Sequence, residues 1–535
     1  MSFDQEKSYD QEKAFKVEHH EHAGRRKSVS EEATELSGIE ATAASKAAWL
    51  ISITVSIGGF LFGYDTGYIS SVLVTLGTSL GHALSSSEQE LVTSLTSGGA
   101  LVGAVGAGLT ADRFGRKMPI WAACVVFVVG TVLQTAAYSV AQFAVGRFVV
   151  GLGVGSAAMV VPLYIGELAP AKYRGRMIAF NNMSVTFGQL VASAIGAGFA
   201  QVKGEGWRAT VGIGAAPAIA LAGLLLLCPE SPRQLVAHGQ YDRADAVLHR
   251  LYLTSTPEQR QAKIKSIELS IHEATQTMSD ESLWTAFRRI FTTPATGRAV
   301  LTACVVMAIS QLGGFNTLMY YSATLFALVG FSNATAVAIT VSGTNFIFSI
   351  VNLFLVDKFG RRILLAVTIF GMATCMLVAS IAFKWIPVNH DLELESGAVG
   401  WAGILVLVAI IFYVAFFSSG VATIGWIGTE LIPLEVRAIG TMLVKHCHLL
   451  EHQHHYRLDL LVHDERNDAK RRLWVLLCHL LLGWLFVIFC YPECKGMPLE
   501  AIREVFSRGF GVKFSKQWQR ENKHMAKVTT QAFGH

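Results

Sequence analysis

Of 535 residues, 52% are hydrophobic and 16% are charged, against roughly 25% charged in soluble domains. That composition excludes an ordinary soluble enzyme. The net charge is only +5, with basic residues in short clusters between apolar runs, which argues against a nucleic-acid partner and for a polytopic membrane protein embedded in a lipid bilayer.

Residues 1–46 are polar, with a near-repeat (Asp4-Gln5-Glu6-Lys7, then Asp10-Gln11-Glu12-Lys13) and a basic run at Arg25-Arg26-Lys27. They hold too little apolar surface to offset ordering, so a disordered cytoplasmic tail is expected. From Ala47 onward, apolar runs recur, each long enough to cross about 30 Å of hydrocarbon as a helix. Spans near 47–71, 91–110, 118–137, 141–165, 177–200 and 207–228 make up an N-terminal bundle over 47–228. The first of these runs contains one carboxylate, Asp65, within Gly58-Gly59-Phe60-Leu61-Phe62-Gly63-Tyr64-Asp65-Thr66-Gly67. An ionised Asp at bilayer depth costs roughly 2.5 kcal/mol or more, so it is normally paired or faces water, and it marks an ion or substrate path. Gly58, Gly59, Gly63 and Gly67 allow a neighbouring helix to approach closely.

Residues 229–297 form a long charged segment between two apolar regions. Thr256, Pro257 and Gln259 have the order of a capping box with proline at the first helical position. Ile264, Ile267 and Ile271 follow at helical spacing, which predicts an amphipathic helix under the membrane domain. A second bundle is expected over 298–492, with spans near 298–324, 334–356, 363–384, 401–428 and 473–491, followed by a tail over 493–535. The short loops at 112–117, 172–176 and 357–362 are basic, whereas the loop carrying Asp391, Glu393 and Glu395 has no Lys or Arg. By the positive-inside rule the basic loops, and with them both termini, are cytoplasmic.

The two regions repeat each other. Asp112-Arg113-Phe114-Gly115-Arg116 recurs as Asp357-Lys358-Phe359-Gly360-Arg361, and Glu167 with Arg174 recurs 263 residues on as Glu430 with Arg437. Pro229-Glu230 recurs at the same offset as Pro492-Glu493. Two similar halves are the signature of a secondary transporter whose site lies between them. One stretch breaks the repeat: residues 445–472 are charged and rich in histidine where an eleventh span should be, although the length is kept. Loss of hydrophobicity without loss of length is what two compensating frame shifts leave, so residues 445–480 read as an error in the coding sequence. The competing reading is a metal-binding loop around His446, His448, His452, His454 and His455. The eight cysteines form no CxxC pair, and neither disulfides nor a zinc site are expected.

Gly-Tyr-Asp-Thr-Gly at 63–67, Asp-Arg-Phe-Gly-Arg at 112–116, Gly-Arg at 146–147, Pro-Leu-Tyr-Ile-Gly-Glu-Leu-Ala-Pro at 162–170, Pro-Glu-Ser-Pro-Arg at 229–233, Asp-Lys-Phe-Gly-Arg-Arg at 357–362 and Pro-Glu-Cys-Lys-Gly at 492–496 together resemble the sugar-porter family of the major facilitator superfamily. The resemblance covers about residues 47–506, except the anomalous stretch. It implies an all-α membrane fold of two six-helix bundles, no cofactor, and a neutral sugar or polyol exposed to each side in turn. It also implies that Asp65 works with Arg147 in proton coupling. Substrate contacts are expected from Asn182, Gln189, Gln311, Asn316, Asn345 and Trp426, with Tyr320 and Tyr321 closing the outer side. A cytoplasmic gate is expected from Asp112, Arg113, Arg116, Glu167, Arg174, Asp357, Arg361, Glu430 and Arg437, with Glu167 facing Arg174 and ion pairs crossing between bundles.

Three departures from hexose carriers bear on substrate. Ser310 precedes Gln311 where a second glutamine is usual, no proline precedes Trp426 in its span, and Asn182 replaces a glutamine. The pattern looks closer to fungal myo-inositol transporters, which predicts proton symport of a cyclic polyol. The alternatives are a hexose symporter or uniporter, and a non-transporting nutrient sensor on the same scaffold.

Overall fold

The computed structural model describes residues 39, 45–202, 204–280, 283–385, 400–422, 431–432, 465–493, 497, 504–507 and 509–520. The first half comprises α1 (Lys46–Val55), α2 (Ile57–Thr75), α3 (Ser86–Phe114), α4 (Lys117–Thr135), α5 (Val140–Leu168), α6 (Ala171–Phe199), α7 (Gly206–Ile213) and α8 (Ala215–Leu225). The connecting segment folds as α9 (Pro232–Ala237), α10 (Tyr241–Leu251), α11 (Pro257–Asp280) and α12 (Leu283–Thr292). The second half contains α13 (Pro294–Leu312), α14 (Phe315–Leu328), α15 (Ala334–Phe359), α16 (Arg361–Ala382), α17 (Trp401–Phe416) and α18 (Glu465–Cys490). Each half buries its own apolar core, the first around residues such as Phe127, Val154 and Tyr164, the second around Met319, Ile369 and Leu480.

Among the described residues, nine helical stretches are long and apolar enough to cross a membrane, and Trp474–Cys490 is a shorter apolar helix. The expected fifth span, α6, is not among the nine although its 29 residues reach about 43 Å at 1.5 Å per residue. Its deficit in hydropathy comes from Asn181, Asn182, Ser184, Thr186, Gln189 and Ser193. A span that dilutes its apolar character with amides and hydroxyls has polar partners inside the bundle rather than lipid on every side. The expected span 298–324 is also two helices, α13 and α14, broken at Gly313-Gly314, where Gly314 takes φ +88°. Residues 445–464 of the stretch where an eleventh span is expected, and the 1–38 and 521–535 tails, lie outside the described residues, whereas residues 465–472 belong to the start of α18.

The halves are built by close backbone approach. A Cβ on Gly63 would meet Val185 O at 1.8 Å, and one on Gly67 would meet Gln189 O at 2.7 Å, so α2 lies directly on the backbone of α6. The same device joins α3 to α5, where a Cβ on Gly103 would meet Leu152 O at 2.1 Å and one on Gly155 would meet Ala100 O at 1.9 Å. Small residues at such contacts are how helices pack tightly without a hydrophobic drive in lipid.

The connecting helices are anchored as their sequence predicts. Gln259 N–H donates to Thr256 Oγ1 (3.3 Å) and Thr256 N–H to Gln259 Oε1 (3.2 Å), closing the capping box ahead of α11. Ile264, Ile267 and Ile271 pack on Leu235, Val236 and Ala244 of α9 and α10. Ser45 ties this layer to the start of α1, its hydroxyl donating to Arg250 O at 2.9 Å. The end of the molecule carrying α9–α12 and the 112–117 loop is called the basic end below, and the opposite one the far end.

Candidate transport site

Asp65 and Arg147, from α2 and α5, are 2% and 0% exposed, and Arg147 Nη1 donates to Asp65 Oδ1 at 2.6 Å. Tyr68 shares the face of α2 that carries Asp65, as an i, i+3 pair does. Its hydroxyl oxygen is 2.8 Å from Asp65 Oδ1, 2.9 Å from Arg147 Nη1 and 3.0 Å from Gln134 Oε1 of α4. Arg147 is held further by its Nε, which donates to Val92 O at 3.0 Å. The ion pair therefore uses one guanidinium nitrogen rather than the two of a bidentate fork, and Arg147 Nη2 and Gln134 Nε2 are buried with no hydrogen-bond partner among the described residues. A monodentate pair lacks the geometric lock of a fork.

Beside the charged cluster, neutral amides link the two halves. Asn345 Nδ2 of α15 donates to Gln189 Oε1 of α6 at 2.6 Å, and Ser418 Oγ donates to Asn345 Oδ1 at 2.6 Å. Ser418 lies in a π-helical turn over Phe417–Val421 that continues α17; such turns concentrate at functional positions. Asn182 is half-buried two helical turns before Gln189, on the same face of α6. At the α13–α14 break, Asn316 Nδ2 donates to Gln311 Oε1 at 2.9 Å, and the Tyr413 hydroxyl donates to Gly313 O at 2.5 Å. The break thus turns two amides toward each other. Trp426 lies outside the described residues.

Further hydrogen bonds cross between the halves toward the far end. Ser70 and Ser322 hydroxyls are 3.0 Å apart, Ala323 N–H donates to Ser70 Oγ at 2.8 Å, and Thr93 Oγ1 is 3.0 Å from the Tyr321 hydroxyl. Tyr320 packs against the first-half cluster that includes Tyr64, Tyr68 and Val92.

The basic end corrects one expectation. Glu167 pairs with Arg116, not with Arg174: Arg116 Nη2 donates to Glu167 Oε1 at 2.9 Å and Nε to Oε2 at 3.1 Å, while Arg174 is exposed. Arg116 Nη1 also donates to Asp112 at 2.7 Å, and Arg113 lies over the Phe114 ring at 5.5 Å. The reason is the chain path. Gly115 adopts φ +87°, which turns Arg116 back over the loop toward α5, whereas Arg174 sits on the solvent face of α6. These pairs stay within the first half, and Arg116 and Glu167 are nearly buried, with side chains 6% and 9% exposed. The Arg116–Glu167 pair is therefore no weak exposed pair, whereas Asp112 meets Arg116 from the surface with its side chain 83% exposed. Glu430 and Arg437 lie outside the described residues, as does the side chain of Asp357.

Two residues read only as repeat markers have a structural job. Glu230 accepts from the N–H groups of Arg116 (2.9 Å) and Lys117 (3.3 Å), and Glu493 from those of Arg361 (3.2 Å) and Arg362 (3.0 Å). Each carboxylate caps the N-terminus of the helix that follows the Gly115 or Gly360 turn, where free N–H groups and the helix dipole favour negative charge. At both turns a Cβ would meet the carboxylate at 2.6 Å.

A fold of two helical halves around buried polar groups is that of a membrane transporter. The sequence profile described as "Sugar (and other) transporter" matches residues 51–506, and the chain belongs to that family, whose members are transporters rather than enzymes. It is 38% identical over 484 residues to myo-inositol transporter 1 of Saccharomyces cerevisiae, covering 88% of this chain and 81% of that one. It is also 38% identical over 487 residues to myo-inositol transporter 1 of Candida albicans, covering 90% and 87%. Among solved structures, the major facilitator superfamily proton:xylose symporter XylE bound to 6-bromo-6-deoxy-D-glucose matches with a TM-score of 0.68 at 26% identity, over 86% of this chain and 99% of that one. The protein is thus an integral, multi-pass membrane transporter of the sugar and polyol class.

Proposed function

We propose that the protein carries a neutral cyclic polyol, myo-inositol first, across the plasma membrane by alternating access coupled to proton symport, with both termini cytoplasmic. The observation that carries the reading is the buried Asp65–Arg147 pair at 2.6 Å. A carboxylate beside an arginine stays ionised; drawn away from it in the same dry surroundings, it takes up a proton. Movement of α2 against α5 then links proton occupancy to conformation, in either direction.

Asn182, Gln189, Gln311, Asn316 and Asn345 supply uncharged donors and acceptors for hydroxyl groups, with Trp426 as an apolar face. Two of these amides bond to each other across the halves, Asn345 Nδ2 donating to Gln189 Oε1 at 2.6 Å. A polyol takes over those bonds, and because they come from both halves, its binding draws the halves together. Contacts of Thr93 with Tyr321 and of Ser70 with Ser322 close the far end, and the Arg116–Glu167 pair braces the basic end from within one half. This combination suits a state open to the cytoplasm. The relatives named as myo-inositol transporters support the polyol, and the proton:xylose symporter supports proton coupling.

The test is uptake of radiolabelled myo-inositol and of glucose into transporter-expressing cells lacking their own carriers, with and without a protonophore. Concentrative, protonophore-sensitive uptake of inositol over glucose is expected. A preference for glucose would replace the polyol with a hexose, and protonophore-insensitive uptake would replace symport with uniport. No transport of either would favour a sensor.

A further inference from the structure

The proton-coupling reading uses Asp65 and Arg147 but gives no role to two fully buried polar side chains beside them, Tyr68 at 2% exposed and Gln134 at 0% exposed. A phenol has one hydrogen to donate and two lone pairs to accept with. Arg147 Nη1 donates into Tyr68 at 2.9 Å. The single Tyr68 hydrogen then faces two acceptors, Asp65 Oδ1 at 2.8 Å and Gln134 Oε1 at 3.0 Å, and serves only one at a time.

We propose that Tyr68 and Gln134 are positioning residues that set the proton affinity of Asp65 through this choice of acceptor. When Asp65 is ionised, its charge draws the Tyr68 hydrogen, because a hydrogen bond to a carboxylate is about twice as strong as one to a neutral carbonyl. When Asp65 is protonated and leaves Arg147, the Tyr68 hydrogen turns to Gln134 Oε1, so the phenol is not left as an unsatisfied buried donor. Tyr68 therefore favours the ionised carboxylate, and Gln134 moderates that preference by competing for the same hydrogen. Among the described residues, Tyr68 bridges Gln134 and Asp65 by hydrogen bonds to both. The titratable and charged groups around Asp65 are Arg147 from α5, Tyr64 and Tyr68 of α2, and Tyr320 of α14 facing Arg147 from the second half; Tyr64 is engaged elsewhere, donating to Thr210 O at 2.7 Å.

This inference rests on proton coupling through Asp65, and the experiment separates the two. Inositol-driven proton uptake and the pH dependence of inositol accumulation are measured in proteoliposomes holding the wild-type protein, Tyr68→Phe, Gln134→Met and the double variant. Equilibrium inositol exchange is recorded on the same vesicles to show that each variant is folded and binds. Accumulation falls at high pH as Asp65 ceases to reload. Tyr68→Phe removes the bond to the carboxylate, so that limb moves up by about one pH unit. Gln134→Met removes the competitor while keeping the volume, and the limb moves down by a smaller amount. The double variant matches Tyr68→Phe, since Gln134 acts on Asp65 through the Tyr68 hydrogen. Unshifted limbs in a wild-type background that moves protons, or a Gln134→Met shift that persists when Tyr68 is Phe, overturn the switch and leave proton coupling intact. A wild-type protein that accumulates no inositol and moves no protons overturns both. If Tyr68→Phe shows no exchange, the acidward shift of Gln134→Met decides alone.

Discussion

The two halves share their ends and differ in the middle. At the basic end, Glu230 and Glu493 make the same bonds to helix N-termini beyond Gly115 and Gly360. Inside, they part company. Counting back 47 residues from the Asp of each shared loop motif aligns Asp65 with Ser310, and counting back 20 from Glu167 and Glu430 aligns Arg147 with Ile410. Both counterparts are buried, at 5% and 7% exposed, yet neither carries charge. The first half thus holds an ion pair where the second holds a hydroxyl and an alkyl chain, and the second supplies the amides Gln311, Asn316 and Asn345. The duplicated scaffold keeps the same caps at both ends and confines the buried ion pair to one copy, while neutral amides come from both, Asn182 and Gln189 from the first and Gln311, Asn316 and Asn345 from the second.

The sharpest way to break that comparison is to remove the charge from one member only. Arg147→Leu leaves Asp65 buried without its cation, a change that costs on the order of 3–5 kcal/mol in comparable pairs. The protein should largely disappear from the membrane fraction on immunoblots, and adding Asp65→Asn should restore much of it. Next, Asp65→Asn alone should abolish concentrative uptake while sparing exchange, read as accumulation ratio against counterflow; persistent accumulation would remove Asp65 from coupling. In the second half, Asn345→Ala breaks the links to Gln189 and Ser418; the Ser418 hydroxyl keeps Val414 O at 2.8 Å, and Gln189 Oε1 loses its donor. It should raise KM for inositol by about tenfold to a hundredfold, with the accumulation ratio unchanged. The smallest effects belong to the shared ends. Glu230→Gln and Glu493→Gln each exchange a charge-assisted cap for a neutral one, worth about 1 kcal/mol, and the two should lower thermal stability in detergent by similar small amounts. A large difference between them would mean that the ends are less alike than their bonds.

How far the sequence carried this picture depends on what kind of signal each part left. Asp65 stood out because charge inside a long apolar run is rare and expensive. Gly63 and Gly67 stood out for their spacing, and the Thr256–Gln259 box because short-range chemistry is written in adjacent residues. Arg147 became its partner only by resemblance, since nothing in local spacing joins positions 82 residues apart. Tyr68 was invisible as a polar residue, for an aromatic in an apolar run reads as core. Gln134 stands near the end of its run, where an amide passes for a boundary. Sequence order puts Arg174 beside Glu167, but the turn at Gly115, at φ +87°, folds Arg116 back onto it, and spacing alone does not report such a turn. The break at Gly313-Gly314 had a signal in the paired glycines, outweighed by the continuous hydrophobicity on both sides.

The backbone contact between α2 and α6 has one more consequence. With carbonyl oxygens of Val185 and Gln189 lying where side chains of residues 63 and 67 would stand, the two helices touch backbone to backbone beside Asp65. In the proposed cycle Asp65 and Gln189 travel together, so a displacement of α2 and α6 that frees the acid from Arg147 also carries the Gln189 amide relative to Asn345. In that proposed cycle, proton and polyol need no relay of moving side chains between them, because the same piece of scaffold holds a handle for each.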